Sequence, residues 1–289
     1  MKRYEFLRPD LHLHSHCSDG TDSPAELLQK VRATNVDFFS LTDHDTVQGC
    51  ETVISQLQVG DPAFVRGVEF SCEDAEGKYH VLGYGFDPSL PAVDDLASYG
   101  HALRMEKAEN RFRFLQERYG FCFPEEEKQE LFSMQNPGRP HFVSMLLRHG
   151  FIRHKEDGFA LLRNCPDSET HISPETAIDS ILRSDGIPVL AHGILADGSR
   201  SLNREEITRR VQRLKEAGLW GLECFYSTYS PEQHEIMLAL ATDHDLFITA
   251  GSDYHGTNKS IKIGETNIDN TEWLQPFFDA VFDRIIVKD

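Results

Sequence analysis

The sequence predicts an α/β barrel built on a parallel sheet, and three features predict it. Short apolar runs alternate with helical stretches along most of the chain, as strands and crossover helices do around a parallel sheet. About seven such runs occur, a number that suits a barrel. The alternation lapses between about residues 99 and 173, where helical patterns stand without a strong strand and point to an insertion.

In chain order, the runs 10–14, 37–42, 64–70, 79–86, 187–192, 219–225 and 246–252 are read as strands. The first helix follows the first run. Ser23 caps it, Pro24 fits its first turn, and Glu26 completes a capping box ahead of Leu27, Leu28 and Val31. Within the lapse, helical patterns cover 103–119, 125–134 and 141–149. Ser230-Pro231-Glu232 opens a later helix containing Ile236, Met237, Leu240 and Ala241. The expected organisation is a barrel domain formed by residues 1–98 and 174–289, with a helical insertion or cap domain at 99–173.

A chain of 289 residues with 39% hydrophobic content can bury a core of this kind. Its longest apolar runs, 187–191 and 246–250, fall far short of the roughly 20 residues that cross a bilayer. Residues 1–9 carry basic side chains but no apolar stretch and do not read as a secretory signal, so the cytoplasm is the expected compartment. Six cysteines without a CxxC pair are read as mostly reduced, buried thiols. A net charge of -18 argues against binding long nucleic acid, because that grip depends on Lys and Arg displacing counterions. A small phosphorylated substrate remains open, and bound cations would neutralise part of the acidity.

The chemistry concentrates where the strand candidates end, the place where barrel enzymes build their sites. In Asp10-Leu11-His12-Leu13-His14 the period of two sends both histidines to one face, where two imidazoles can chelate one ion. Asp19 follows the first strand, Asp43-His44-Asp45 the second, and Glu69 ends the third. His80 lies in the fourth, His192 ends the fifth, and Asp253 and His255 follow the seventh. Each alone is a weak signal, but a core has no need of such a mixed set of imidazoles and carboxylates. No cysteine joins it, which disfavours a thiolate zinc site and leaves manganese, iron, zinc or magnesium. Nine ligating side chains exceed what one ion uses, so two or three ions are expected, with a carboxylate such as Glu69 able to bridge.

These motifs resemble the PHP (polymerase and histidinol phosphatase) domain family, in its stand-alone nucleotide-phosphatase branch. The resemblance spans nearly the whole chain. It is carried by Asp10-Leu-His-Leu-His14-Ser15, Ser18-Asp19-Gly20-Thr21, Leu41-Thr42-Asp43-His44-Asp45, Gly67-Val68-Glu69, Ala191-His192 and Gly251-Ser252-Asp253-Tyr254-His255. It implies a distorted (β/α)7 barrel with a small helical insertion and a trinuclear centre, often of manganese. It further implies that His12, His14, Glu69 and Asp253 hold one ion, Glu69, His80 and His192 a second, and Asp19, His44 and His255 a third. Arg139-Pro140-His141 matches an Arg-x-His element of the branch and implies a substrate-phosphate clamp at Arg139 and His141, a role suited to the planar guanidinium fork. Two departures bear on substrate: Gly193 stands where relatives carry proline, and the basic residue that often follows is not obvious, although Arg200 is near.

The expected chemistry is attack on phosphorus by a metal-activated hydroxide, with no nucleophilic side chain. Asp10, Asp43 and Asp45 are expected to lie behind the ligands and orient imidazoles. Glu223 ends the sixth strand at the same end of the barrel, where a salt bridge or a contact behind the ligands competes with ligation; Tyr226 and Tyr229 are read as lining a nucleobase or sugar pocket or as packing, and His16 and Arg200 are left without a fixed role. The substrate expected from the resemblance is a nucleoside 3',5'-bisphosphate losing its 3'-phosphate, with short 5'-phosphorylated oligonucleotides as a further class. Histidinol phosphate or a sugar cyclic phosphate is the alternative, and a non-catalytic interaction module is a third reading.

Overall fold

The structure, a computed structural model, describes residues 6–134, 137–166, 171–196 and 200–288. One sheet carries, in both chain and spatial order, β1 (Pro9–Asp10), β2 (Phe38–Leu41), β3 (Ala63–Asp74), β4 (Gly77–Tyr84), β5 (Ile187–Ala191), β6 (Gly221–Tyr226) and β7 (Phe247–Gly251). Its edges nearly meet. Leu11 N donates to Ala250 O at 2.9 Å, Asp253 N donates to His12 O at 2.8 Å, and Leu13 bridges Tyr254 in parallel. The result is a nearly closed barrel in a mixed α/β chain.

The expectation of a parallel sheet needs correction at β4, which runs antiparallel to both β3 and β5. Only Ala75 and Glu76 separate β3 from β4, far fewer than the dozen or more residues of a parallel crossover. Gly77, at φ 116°, makes the reversal. Reversal has a functional consequence. His80 lies early in β4, opposite Ser71 of β3 and Ala191 of β5, and so reaches the barrel end where the parallel strands finish.

The helices pack around this sheet. In α1 (Pro24–Arg32) the capping box at Ser23 and Glu26 is formed, and the buried Leu27, Leu28 and Val31 join a cluster with Phe39 and Phe64. A larger cluster includes Val68, Leu82, Val189 and Leu222, all fully buried. Burial of a side chain of this size contributes roughly 1.5–3 kcal/mol. After α2 (Gln48–Gln56), α3 (Ala92–Tyr119) runs unbroken through the expected boundary at 98/99. Its early residues Val93, Leu96, Ala97 and Leu103 pack into the barrel core. Farther along, Ala108, Phe112 and Leu115 enter a separate cluster with Leu131, Phe142, Leu146 and Leu162.

The rest of that third cluster comes from α4 (Glu125–Ser133), α5 (Arg139–Arg148) and α6 (Lys155–Leu162), of which α6 is absent from the sequence expectation. The chain returns to the barrel through α7 (Pro174–Arg183), capped by Ser173, then α8 (Arg204–Glu216), α9 (Pro231–Asp243) and α10 (Gln275–Ala280). No cysteine is in a disulfide; Cys17, Cys50, Cys72 and Cys224 are buried, whereas Cys122 is exposed. Among the described residues, no helix is long and apolar enough to cross a membrane.

Candidate metal centre

Glu69, in β3 and 1% exposed, stands at the centre of the histidine cluster. Its two oxygens face different imidazoles. Oε1 lies 2.8 Å from His80 Nδ1 and 3.2 Å from His192 Nε2. Oε2 lies 3.3 Å from His12 Nε2, 3.2 Å from His14 Nε2 and 3.0 Å from His44 Nδ1. Period-two alternation explains His12 and His14: both are fully buried, and their Nε2 atoms are 3.1 Å apart.

Beside this centre, Asp19 Oδ1 is 3.1 Å from His255 Nε2 and 3.8 Å from both His44 Nε2 and His14 Nδ1. Asp253 Oδ1 is 3.3 Å from His14 Nε2, 3.2 Å from His255 Nδ1 and 3.7 Å from His12 Nε2. All nine expected ligand residues therefore meet at one end of the barrel. Three sets have donor atoms mutually within 4.8 Å: His14, Asp19, His44 and His255; His12, His14 and Asp253; and His44, Glu69 and His80. Two donors at about 2.1 Å from one ion lie at most about 4.2 Å apart, so small adjustments would complete a shell.

Two observations say that this cluster fits cations. Asp19 Oδ1 and Glu69 Oε2 are buried and accept no hydrogen bond, although several imidazole nitrogens face them. A cation shared with those nitrogens would satisfy both oxygens. The charge balance agrees. Burial alone would raise the Glu69 carboxyl, but His80, His44 and His12 outweigh it and hold it well below the usual range. Burial is likewise outweighed at Asp19 by His255 and His44, and at Asp253 by Lys259 and His255. In return, burial would lower His12 and His14, yet Glu69, Glu223 and Asp253 carry His12 well above its ordinary value, while Asp253 and Glu69 push His14 up to about 9. Ionised carboxylates buried this densely require positive charge, which divalent cations supply directly.

Among the described residues, the aspartates expected to orient imidazoles hydrogen-bond mainly to other donors. Asp10 Oδ1 accepts the Ser252 N–H at 2.9 Å and Oδ2 the Gly264 N–H at 2.7 Å, which ties the first strand to the loop after β7. Asp43 accepts from Ser15 N and Oγ at 2.7 Å each and from Ser18 Oγ at 2.6 Å. Ser18 Oγ is in turn 3.3 Å from His14 Nδ1, so Asp43 reaches an imidazole only through a hydroxyl. Asp45 accepts from Ser71 N at 2.9 Å and Arg104 Nε at 2.7 Å. Backbone N–H groups, hydroxyls and a guanidinium reach these carboxylates through the fold, and sequence spacing cannot distinguish such donors from imidazoles.

The inserted helices approach the centre at the start of α5. A Cβ placed on Gly138 would lie 3.9 Å from Asp19 Cβ. His141 is half-buried, and its Nδ1 accepts the Gly138 N–H at 2.9 Å; burial holds its pKa below the ordinary value despite Asp19 nearby. Arg139, also half-buried, precedes it on the same turn.

A profile of the PHP domain matches residues 10–173. The chain belongs to the PHP domain family. It is similar to a 3',5'-nucleoside bisphosphate phosphatase of Chromobacterium violaceum, at 29% identity over 92% of each chain. A 5'-3' exoribonuclease of Haemophilus influenzae is 27% identical over 93% of this chain and 97% of its own. Among solved structures, an amidohydrolase from Chromobacterium violaceum with bound sulfate and no metal superposes with a TM-score of 0.84 at 26% identity, covering 97% of this chain and 98% of that one. As a PHP protein with this cluster, the chain is a metal-dependent phosphoesterase.

Four residues beyond the expected ligands build this PHP site, and sequence reasoning missed two of them, Lys259 and Arg104. Glu223 is fully buried, with Oε1 2.9 Å from His12 Nδ1 and Oε2 accepting the His192 N–H at 2.8 Å. Tyr226 and Lys259 both donate to Asp253 Oδ2. Arg104, on α3, donates to Asp45 and to Ser71 Oγ at 2.6 Å. Glu223 and Tyr226 carry the signal of a strand end on the right side of the barrel; Lys259 and Arg104 lie outside every motif. Arg200 pairs with Glu206 at 3.0 Å, and His16 is exposed.

Proposed function

We propose that this enzyme removes the 3'-phosphate of nucleoside 3',5'-bisphosphates, using three divalent ions, manganese in the first instance. The observation that carries a multinuclear reading is Glu69, whose oxygens address separate imidazole groups. In this reading His12, His14, Glu69 and Asp253 hold one ion, Glu69, His80 and His192 a second, and Asp19, His44 and His255 a third. The substrate class follows from similarity along 92% of a relative that carries that activity in its name.

Bound ions would activate water and offset negative charge on the phosphoryl oxygens. The protein does the rest. Glu223 fixes the His12 ring with Nε2 toward the cluster. Because His141 Nδ1 accepts the Gly138 N–H, its neutral ring carries the proton on Nε2 and can donate it in a hydrogen bond to a phosphate oxygen. Arg139, at the start of the same helix, supplies charge for the same group. Residues 99–173 act as a cap domain that brings both side chains over the barrel and limits water around the ester, with residues 1–98 and 174–289 as the barrel domain.

The test is phosphate release by manganese-loaded protein from adenosine 3',5'-bisphosphate, histidinol phosphate, a sugar cyclic phosphate and a short 5'-phosphorylated oligonucleotide, with products identified by phosphorus NMR. Loss of the 3'-phosphate alone, at the highest kcat/KM of the set, is the expected result. Preference for another member would overturn the substrate assignment and leave the phosphoesterase class in place.

A further inference from the structure

The sequence lacks an obvious basic residue after His192, and the fold brings one in from elsewhere. Lys259 lies in the loop beyond β7, and its ammonium donates to Asp253 Oδ2, the oxygen opposite the one that faces His12, His14 and His255. Its loop is pinned. Thr257 N donates to Thr21 Oγ1 at 2.9 Å, and Asn258 Nδ2 donates to Asp19 O at 2.8 Å. Gly256, at φ 64°, allows this approach: a side chain there would overlap Thr21 Oγ1. Lys259 is thus anchored at the backbone while its side chain remains 41% exposed.

Three features suit that ammonium to an incoming oxyanion. It has three N–H donors and spends one on Asp253 among the described residues, so two remain. Asp253 Oδ2 also receives the Tyr226 hydroxyl, so the carboxylate keeps a donor when the lysine shifts. Asp19 and Glu69, like Asp253, hold its charge in place. Other cations close by are differently committed: the Arg104 fork is taken by Asp45 and Ser71. Asn258, before Lys259, and Gly138, before Arg139, both approach Asp19, so the barrel loop and the inserted helices meet at one edge of the cluster.

We propose that Lys259 is a substrate-contacting residue that binds a non-bridging oxygen of the phosphoryl group undergoing hydrolysis, supplying from the last barrel loop the basic group missing after His192. The proposal rests on the phosphoesterase reading of the centre. It is distinct from a role in holding Asp253, which Tyr226 shares.

The test compares wild type with Lys259→Met and Lys259→Arg, each loaded with manganese, and uses inorganic phosphate as the probe. Manganese content is measured by elemental analysis, and phosphate affinity by phosphorus NMR line broadening and by product inhibition. Expected is unchanged metal content, phosphate affinity lowered roughly 10-fold or more in Lys259→Met, as befits a charge-assisted hydrogen bond, and partial recovery in Lys259→Arg. Unchanged phosphate affinity would overturn the proposal. Loss of manganese from Lys259→Met would also overturn it, by assigning the lysine to Asp253 alone. If the wild type binds phosphate but hydrolyses none of the four esters, the substrate reading fails while the NMR comparison still decides the role of Lys259.

Discussion

Glu223 Oε1 lies 2.9 Å from His12 Nδ1, and neither side chain is exposed at all. A buried carboxylate behind an imidazole fixes the ring and raises its basicity, and partners of this kind are worth about 10–100-fold in metal affinity. Glu223→Gln keeps an acceptor for the His192 N–H but loses the charge. It is expected to weaken manganese binding by about 10–100-fold, read by competition with a fluorescent chelator, while circular dichroism stays native. Wild-type affinity in this variant would remove Glu223 from the metal site.

The two oxygens of Glu69 face different imidazole rings, so its loss should affect more than one ion. Glu69→Gln is expected to abolish turnover and to lower bound metal by more than one equivalent in elemental analysis. Loss of a single equivalent would show that Glu69 does not bridge.

Metal removal has a stability signature as well. A ligand present at about 100 times its dissociation constant adds about 2.7 kcal/mol to the folded state. Chelation by EDTA should therefore lower the thermal midpoint by several degrees and stop phosphate release, and manganese should restore both. An identical midpoint with and without chelator would mean that no ion is held by the native fold.

Much of this site is legible in the amino-acid sequence, because it rests on short-range rules. Alternation along 10–14 puts His12 and His14 on one face, and strand ends bring Asp19, His44, His192, Asp253 and His255 together; Glu69, expected to end its strand, lies inside β3, which continues to Asp74. The reversal of β4 is not legible as direction, since an apolar run reads the same either way; the two-residue connection before Gly77 is the available clue. The partners of Asp10, Asp43 and Asp45 are not legible, because backbone groups, hydroxyls and Arg104 compete for the carboxylates and tertiary packing decides which donor wins. Lys259 and Arg104 come from a loop and a helix that share no motif with the ligands, so tertiary proximity alone reveals them.

Arg104 ties the long α3 helix to the barrel. Its guanidinium pairs with Asp45, which is 2% exposed and held at φ 50°. Breaking a buried pair from one side costs about 3–5 kcal/mol, and the partial exposure of Arg104 reduces that figure. Arg104→Met is expected to lose about 2 kcal/mol in urea denaturation, a value reduced from the buried-pair range. A loss confined to activity, with unchanged stability, would mean that Asp45 finds another partner.

Arg139 is the test of how the inserted helices serve the chemistry. It opens α5 beside His141, whose Nδ1 is occupied by the Gly138 N–H, so the two side chains offer charge and a donor from one helix start. Gly138 brings this helix start beside Asp19, and an arginine is not a metal ligand. Arg139→Ala should therefore leave metal content at the wild-type level. A hydrogen bond to a charged group is worth about 1.5–3 kcal/mol, which corresponds to roughly 10–150-fold in kcat/KM. If the arginine grips a phosphate that does not react, the loss falls on KM and vanishes for a substrate with one phosphate. If it grips the reacting phosphoryl group, kcat falls for mono- and bisphosphate alike. Equal kinetics for wild type and Arg139→Ala on both substrates would exclude the clamp.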